Sequence, residues 1–295
     1  MKGSYVISCC SAADLTLELI QKLDVELLCF HLTLDGVQYT DDLGQSMDIN
    51  HFYAEMAAGK MTKTSQIGIG EYMDHFEKFL AAGQDVLHIT LSSGISGTFN
   101  SATAAAQVLA SQYPERRLVV MDSLAASSGY GLLMAGICQE RDKGASLDEL
   151  IAYIERERLH LNHWFFSTDL QYYVRGGRIS KASGFVGGLL NICPLLNVNK
   201  EGKLIPRTKC RGKRKAIETI VQRMEEHARD GHDYDGPVYL SQSACKEDAE
   251  AVVSLIRERF PKVGEISIFN IGALIGAHTG PGTVALFFWG DERGE

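Results

Sequence analysis

Three features common in other protein classes are scarce in this chain of 295 residues. Its 29 basic residues are outnumbered by 37 acidic ones, which argues against general nucleic-acid binding, since that function usually needs a basic surface. No stretch approaches the ~18 consecutive apolar residues of a membrane-spanning helix. The first eight residues lack the charged start and the apolar core of a signal peptide. The sequence therefore predicts a cytoplasmic protein that binds no nucleic acid.

Cysteine and histidine spacings typical of metal sites are also missing. The seven cysteines show no CxxC pattern, and the nine histidines form no HxxxH or HExxH pair. Structural zinc sites and metallohydrolases usually need such spacings. We therefore expect no metal and no cofactor, and we expect the cysteines to be reduced and mostly buried, as in other cytosolic proteins.

The chain is long enough and apolar enough to form a large hydrophobic core. Apolar residues make up 45% of the chain, enough for two domains. Strand and helix patterns alternate in residues 1–161, which predicts an α/β domain with a mainly parallel sheet covered by helices. Residues 162–295 show a mixed order of strands and helices, which predicts an α+β domain. We place the boundary near Leu161.

Residues 48–58 are expected to form a helix with Asp48 as N-cap, ended by Gly59. The loop after this helix is expected to carry Thr64-Ser65.

Other local patterns predict strands and a helix start. Val25–Leu34 is expected to be one strand that turns at Asp35-Gly36 into a hairpin. Ile192–Val198 contains Pro194, which favours an edge or irregular strand. A serine followed three residues later by a glutamate, at 146 and 149, predicts a capping box and the start of a helix.

Three short polar clusters, far apart in sequence, are the strongest functional signal. They occupy residues 64–66, 92–98 and 276–282, and each adjoins an apolar stretch. The second follows a buried strand pattern and precedes an alanine-rich helix pattern, so it predicts a strand-to-helix turn with free N–H groups. A carboxylate or a phosphate is the natural ligand of such a turn.

Together these clusters resemble the DegV family of bacterial fatty-acid-binding proteins, the lipid-carrying subunits of fatty acid kinase. The resemblance covers nearly the whole chain and rests on four motifs in order: Lys63-Thr64-Ser65-Gln66, Ser92-Ser93-Gly94-Ile95-Ser96-Gly97-Thr98-Phe99, Arg175-Gly176-Gly177-Arg178-Ile179-Ser180 and Ile275-Gly276-Ala277-His278-Thr279-Gly280-Pro281-Gly282. It implies an acyl-chain tunnel between two α/β domains. It also implies that a separate kinase subunit phosphorylates the bound carboxylate to an acyl phosphate, and that this chain has no catalytic activity of its own.

The same resemblance implies a role for each matching position. The carboxylate of a long-chain fatty acid, the only ligand expected, would be held by Thr64, Ser65, Ser93 and His278, with Thr279 adjacent. A further pair, Arg175 and Arg178, would contact the kinase partner and the phosphorylated product. Two departures from the family pattern stand out: Cys10 replaces the usual aspartate after the first strand, and Ile67 replaces a proline.

Two other functions fit parts of the same pattern. Ser93 and His278 could be the nucleophile and base of a serine hydrolase, although the Gly-x-Ser-x-Gly elbow is missing. The turn at residues 92–97 could bind a phosphate or nucleotide, although it lacks the lysine of a P-loop. Six basic residues between Arg207 and Lys215 would suit an acidic partner or, transiently, an anionic membrane surface.

Overall fold

The computed structural model describes residues 5–180 and 191–295. Its strands are, in chain order, β1 (Tyr5–Cys10), β2 (Glu26–Leu28), β3 (His31–Leu34), β4 (Val37–Thr40), β5 (Thr62–Ser65), β6 (Asp85–Thr90), β7 (Leu118–Asp122), β8 (Leu161–Ser167), β9 (Ile192–Val198), β10 (Leu204–Arg211), β11 (Val238–Gln242), β12 (Ile266–Asn270) and β13 (Thr283–Trp289). Its α-helices are α1 (Leu17–Lys22), α2 (Ile49–Ala57), α3 (Ile69–Ala81), α4 (Thr98–Gln112), α5 (Ser127–Asp142), α6 (Leu147–Glu157), α7 (Gln171–Arg175), α8 (Gly212–His227), α9 (Lys246–Arg259) and α10 (Ala273–Thr279).

A four-stranded parallel sheet forms the centre of the first half, in the order β2-β1-β6-β7. The central strands are almost wholly buried, with apolar residues such as Val86, Leu87 and Ile89 fully covered. Parallel sheets of this kind need helices on their faces. Helices α3 and α4 pack on the sheet, and Tyr130 of α5 hydrogen-bonds to the backbone of Cys10 and Ile89. The predicted α/β architecture of this half is confirmed.

The second half contains a six-stranded sheet in the order β10-β9-β8-β13-β11-β12. Only β11 and β12 pair in parallel, and the other neighbours are antiparallel. One face packs on α8 and α9, and α5 contacts the other. The predicted mixed α+β structure of this half is confirmed. The sheet begins at Leu161, while the largest apolar cluster joins residues from both halves, such as Leu133 and Phe287. The proposed domain boundary stays a prediction.

A small antiparallel sheet, in the order β4-β3-β5, lies outside both larger sheets. The prediction of one strand over Val25–Leu34 is wrong, because β2 joins the parallel sheet and β3 the small one. Between them Phe30 is buried, with its N–H bonded to Ser11 Oγ at 3.1 Å. The sequence of this segment does not show the change of sheet, because strand pairing depends on residues far away along the chain.

Two further expectations need correction. Thr64 and Ser65 lie in β5, paired with β3, rather than in a loop. Strand β9 lies between β8 and β10, so the expectation of an edge strand is wrong, while a register shift in its pairing with β10 agrees with an irregular one. Its pairing with β8 stops at Leu195, so Pro194 needs no N–H on that side. Helix starts were easier to predict: Ser146 and Glu149 form the expected capping box.

Candidate functional site

A cavity of about 280 Å³ lies where the three sheets meet. Most of its wall is apolar, contributed by both halves of the chain: Phe30, Leu91, Ile95, Ala126, Phe165, Val198, Leu204, Ile271, Leu274, Ile275, Ala285 and Phe287. A polar group comes from β5, the turn before α4, the turn after α7, and α10: Thr64, Ser65, Gln66, Ser96, Arg178, His278 and Thr279, with Gly97 beside Ser96. Three other polar residues, Ser127, His163 and Thr283, also line the cavity. The cavity therefore offers a mostly apolar interior with a polar end.

Two of the three polar clusters meet directly at this end. Thr64 Oγ1 lies 2.8 Å from His278 Nε2. His278 occupies the last turn of α10 rather than a loop, and it is partly buried. Residues 214 positions apart in sequence are joined here because α10 packs against β5. The prediction that these side chains share one site agrees with this geometry.

Arg178 completes the polar end. Its Nη1 lies 3.3 Å from His278 Nδ1 and donates to the carbonyl oxygen of Gly176 at 2.6 Å, while its Nε donates to that of Ile95 at 3.2 Å. A side chain at position 176 would put its Cβ 2.3 Å from His278 Nδ1, so glycine is required for this approach. Arg178 therefore lines the cavity, while its contact with a kinase partner and the phosphorylated product stays a prediction.

Arg175, predicted to act together with Arg178, is located differently. Its side chain is exposed, with the guanidinium 5.4 Å from the ring centre of Tyr172 and Nη1 3.8 Å from Met61 Sδ. It does not line the cavity. The helix α7 ends between the two arginines, and this turns their side chains in different directions.

Burial and charge set the protonation of the site. Burial, followed by the neighbouring Arg178, lowers the pKa of His278 to about 4. The ring is therefore neutral at pH 7. An Arg178 N–H can only donate, so we assign the acceptor lone pair to His278 Nδ1 and the proton to Nε2. Nε2 then donates to Thr64 Oγ1, which leaves the Thr64 hydroxyl proton available to a ligand.

Helix α4 adds a further positive contribution. It is 15 residues long and begins at Thr98, directly after Gly97 of the cavity wall. The first N–H groups of a helix have no partner within it, and its N-terminus carries partial positive charge. Together with the charged Arg178, this makes the polar end of the cavity suited to an anion.

Ser93 does not reach the cavity in this structure. It is exposed, and its backbone N–H points to the carboxylate of Asp122 at 3.2 Å. Ser96, three residues later, lines the cavity instead. Ser92 is fully buried and donates to the carbonyl oxygen of Gly202 at 2.9 Å. The sequence contains three serines in one turn, and only the turn's fold distinguishes the one that faces the cavity.

The remaining predicted ligands line the cavity with different exposure. Ser65 is exposed, and its hydroxyl is 3.4 Å from the carbonyl oxygen of His31. Thr279 is buried next to His278. Gln66 donates from Nε2 to Ser101 Oγ at 3.0 Å, which ties the Thr-Ser-Gln segment to α4.

The sequence analysis missed Ser96 and His163, and it assigned Arg178 elsewhere. Ser96 could have been found as the last serine before α4. His163 lines the cavity from β8 and belongs to a strand whose alternate residues, 163 and 165, share a face. Alternation alone does not reveal which face borders a cavity.

The two departures from the family pattern lie away from this polar end. Cys10 Sγ is 3.4 Å from the hydroxyl oxygen of Tyr72 and 3.6 Å from His88 Nε2, and all three side chains are buried. Burial raises the pKa of the Cys10 thiol to about 12, so it is uncharged. Ile67 is fully buried in the main apolar cluster.

All seven cysteines are free thiols, and five of them are buried. The prediction that the cysteines are unpaired and mostly buried is confirmed.

Other candidate sites receive less support. Among residues 5–180 and 191–295, no group of three His, Cys, Asp or Glu side chains is placed to hold a metal ion. Within the same ranges, no helix is long and apolar enough to span a membrane. The basic stretch is partly neutralised: Lys213 contacts Asp248 at 2.6 Å, and Arg214 and Lys215 contact Glu218.

The chain is similar to one protein family over nearly its whole length. Residues 7–291 match the family model described as "Uncharacterised protein, DegV family". The chain is 35% identical to a DegV domain-containing protein of Clostridium perfringens, with 98% of each chain covered. It is 32% identical to a protein of Thermotoga maritima named fatty acid-binding protein, with 93% of each covered. A solved DegV family structure from Thermus thermophilus, described for its fatty acid binding, superposes with a TM-score of 0.86 at 28% identity, covering 97% of this chain and 99% of that one.

Proposed function

This chain belongs to the DegV family, and from that premise we propose that it binds one long-chain fatty acid non-covalently. The observation that carries the proposal is the cavity itself, whose mostly apolar wall leads to a polar cluster around Arg178 and His278. A fatty acid has the same division between an apolar chain and a charged head. The names of the Thermotoga and Thermus relatives support the same ligand class.

The carboxylate would be held by groups that can all donate. Thr64 has its hydroxyl proton free once His278 Nε2 donates to it, and Ser96 borders the same space. Arg178 brings a positive charge into a half-buried position, where burial lowers its pKa. A buried carboxylate needs such partners, because leaving it unpaired costs several kcal/mol. Hydrogen bonds to a charged group contribute about 1.5–3 kcal/mol each.

A serine hydrolase is not favoured by the geometry. Ser93 is exposed, and Nε2 of His278 contacts Thr64. Nδ1 of His278 faces Arg178, whereas a hydrolase would have a carboxylate there to orient the ring. An imidazole with a pKa of about 4 is a weak base at neutral pH. The apolar wall likewise favours an acyl chain over a nucleotide.

Native mass spectrometry of the purified protein tests the proposed ligand. We expect one co-purifying long-chain fatty acid per chain, and His278→Gln should lower its affinity about 10-fold by disturbing the Thr64 hydroxyl. His160→Gln is the matched control, since His160 contacts the carbonyl oxygen of Gly290 and lies outside the cavity wall. A nucleotide as the bound species, or labelling of Ser93 by a serine-directed probe, would contradict the proposal.

We also propose that the chain acts as a non-catalytic carrier and presents the carboxylate to a separate kinase subunit. The resemblance to the lipid-carrying subunits of fatty acid kinase is the source of this step. Arg175 supports it, because an exposed guanidinium beside the cavity residues can meet a partner or a phosphoryl group without desolvation in the resting state.

Arg175→Ala tests the carrier role. Fatty-acid binding should stay within about 2-fold of wild type, because Arg175 does not line the cavity, while acyl-phosphate formation with a cognate kinase subunit should fall. Arg156→Ala is the control, since Arg156 is exposed on α6, does not line the cavity and lies outside the basic stretch at residues 207–215. Wild-type phosphorylation by Arg175→Ala would exclude this role, and acyl-phosphate formation by the chain alone would show that it is an enzyme.

A further inference from the structure

Two turns, one from each half of the chain, meet in the wall of the cavity. The first is the turn before α4, residues 92–97, and the second is the β9–β10 turn, residues 199–203. Five residues of the cavity wall lie in these turns or directly beside them: Ile95, Ser96, Gly97, Val198 and Leu204. We call the line where the two turns touch the seam. The seam is a part of the wall that is made of loops rather than of packed strands and helices.

The seam is closed by a close approach of two backbones and by one buried hydroxyl group. Ser92 Oγ donates to the carbonyl oxygen of Gly202 at 2.9 Å and accepts from the backbone N–H of Gly94 at 3.1 Å. The backbones lie so close that a Cβ at position 94 would be 2.5 Å from the carbonyl oxygen of Glu201. Ser92 is fully buried but does not line the cavity. Its hydroxyl therefore joins the two turns without being placed to touch a ligand.

Each turn is anchored to its own half of the chain. In the β9–β10 turn, the carbonyl oxygen of Asn199 accepts a hydrogen bond at 3.3 Å from Nη1 of Arg293, which follows β13. In the turn before α4, the backbone N–H of Ser93 contacts the carboxylate of Asp122, at the end of β7, at 3.2 Å. A displacement of one half relative to the other would therefore separate the two turns at the seam.

A second contact between the halves, at α5, is apolar and harder to separate. Helix α5 packs against β8, β11 and β13, and its Leu133 belongs to the same apolar cluster as Phe287 of β13. Opening at α5 would expose this apolar surface to water, which is unfavourable. At the seam, water can replace the hydrogen bonds that opening breaks, including the one from Arg178 Nε to the carbonyl oxygen of Ile95 at 3.2 Å. Local opening is therefore easier at the seam.

A pocket of this kind covers most of its ligand's surface, so a part of the wall has to move when an acyl chain is exchanged. We propose that the seam is the gate for the fatty acid and that the Ser92 hydroxyl holds it closed. This inference rests on the proposed fatty-acid function and describes how that ligand is exchanged. Ser92 then controls the rates of binding and release, whereas Thr64, Ser96, Arg178 and His278 control affinity.

Stopped-flow measurement with a fluorescent long-chain fatty acid tests the gate in Ser92→Ala. Entry and release both need the seam to open, and the lost hydrogen bond closes it whether or not the ligand is bound. We therefore expect the association and dissociation rate constants to rise together by about 2-fold to about 10-fold, the range for one neutral hydrogen bond. The Kd should stay within about 2-fold of wild type. Ser96→Ala should differ, because loss of a contact with the ligand raises mainly the dissociation rate constant.

Thr219→Val is the control for loss of a buried hydroxyl. Thr219 is buried in α8, donates to the carbonyl oxygen of Lys215 at 2.6 Å and does not line the cavity. This variant should leave both rate constants unchanged, whatever its effect on stability.

Gly94→Ala opens the seam in a different way. The added Cβ would lie 2.5 Å from the carbonyl oxygen of Glu201 and 2.6 Å from that of Gly202, so the two turns have to move apart. Both rate constants should again rise together. Gly70→Ala in α3 is the matched control, because nothing lies within 4 Å of a Cβ at that position.

Three results would count against these proposals. Unchanged rate constants in either folded variant, Ser92→Ala or Gly94→Ala, would overturn the gate while leaving the fatty acid bound. A rise in the dissociation rate constant of Ser92→Ala alone, with a matching rise in Kd, would also overturn it, because Ser92 would then support the bound ligand. Failure of the wild type to bind any fatty acid would instead refute the proposed function.

Discussion

The polar cluster at the cavity and a second polar cluster inside the parallel sheet are built from similar groups. The first, the cavity cluster, consists of Thr64, Ser96, Arg178 and His278. The second, the core cluster, joins Ser8, Cys10, Tyr72, His75 and His88. In it Ser8 Oγ lies 2.7 Å from His75 Nε2 and 2.9 Å from His88 Nδ1. Burial also lowers the pKa of His75 to about 4, as it does for His278.

The two clusters differ in what surrounds them. None of the five residues of the core cluster lines the cavity, whereas all four of the cavity cluster do. The polar groups of the core cluster pair with one another, in a series of contacts from Ser8 to Thr98 at the start of α4. The cavity cluster contains the charge of Arg178 and hydroxyl groups that border empty space. A histidine with a lowered pKa therefore marks burial, and only an adjoining cavity makes it a candidate ligand site.

The largest loss of fatty-acid affinity should follow removal of the Arg178 charge, which has no counterpart in the core cluster. Arg178→Gln should weaken fatty-acid binding by about 10- to 150-fold, the range for a hydrogen bond to a charged group, as measured by calorimetric titration. Arg175→Gln is the control and should bind nearly as wild type. Similar losses in both variants would mean that the two arginines act together, contrary to their separate positions.

Breaking the core cluster should change stability and leave binding intact. Tyr72→Phe removes the hydroxyl that contacts Thr98 Oγ1 at 2.7 Å and Cys10 Sγ at 3.4 Å. Leaving buried polar groups without a partner should lower the free energy of unfolding by about 1–3 kcal/mol, measured by urea denaturation. Phe76→Leu is a control for packing alone. Loss of fatty-acid affinity in folded Tyr72→Phe would show that the clusters are coupled through α4.

A smaller effect should separate the serines of the turn before α4. Ser96→Ala removes a hydroxyl that borders the cavity and should reduce fatty-acid affinity by up to about 10-fold. Ser93→Ala should have little effect, because the Ser93 side chain is exposed and does not line the cavity. The reverse order of effects would restore the assignment made from the family resemblance.

The stability of the folded protein should depend on pH through one histidine of each cluster, His75 and His278. The unfolded chain protonates each histidine near pH 6.5, and the folded chain protonates His75 and His278 only near pH 4. Between these values the unfolded state binds more protons, so stability falls as the pH is lowered, by at most about 1.4 kcal/mol per pH unit for each histidine. His75→Gln and His278→Gln should each flatten this slope in thermal unfolding measured from pH 6.5 to pH 4.

A bound fatty acid should distinguish the two histidines. Its carboxylate favours protonated His278 and so reduces the slope that depends on this residue. Saturating ligand should therefore flatten the wild-type profile and leave the profile of His278→Gln nearly unchanged. If ligand flattens both profiles equally, the carboxylate does not lie beside His278.

Local sequence patterns predicted much of the fold correctly. The N-cap of α2 at Asp48 and the capping box at Ser146 follow from side-chain hydrogen bonds within one turn, and such contacts involve residues close in sequence. The parallel sheet followed from the alternation of strands and helices. Errors arose where the chain changes partner, as between β2 and β3, because backbone pairing depends on residues far away in sequence.

The candidate site also combines features that local sequence predicts with features that depend on distant residues. By itself the sequence determined which hydroxyl, imidazole and guanidinium groups are available, and the resemblance to the DegV family grouped them. How the whole chain packs decides that Ser96 rather than Ser93 borders the cavity, and that Arg178 lies in the cavity wall while Arg175 is exposed. Which atoms border a cavity is set by how sheets and helices pack across the whole chain, and this information is not contained in the spacing of residues along it.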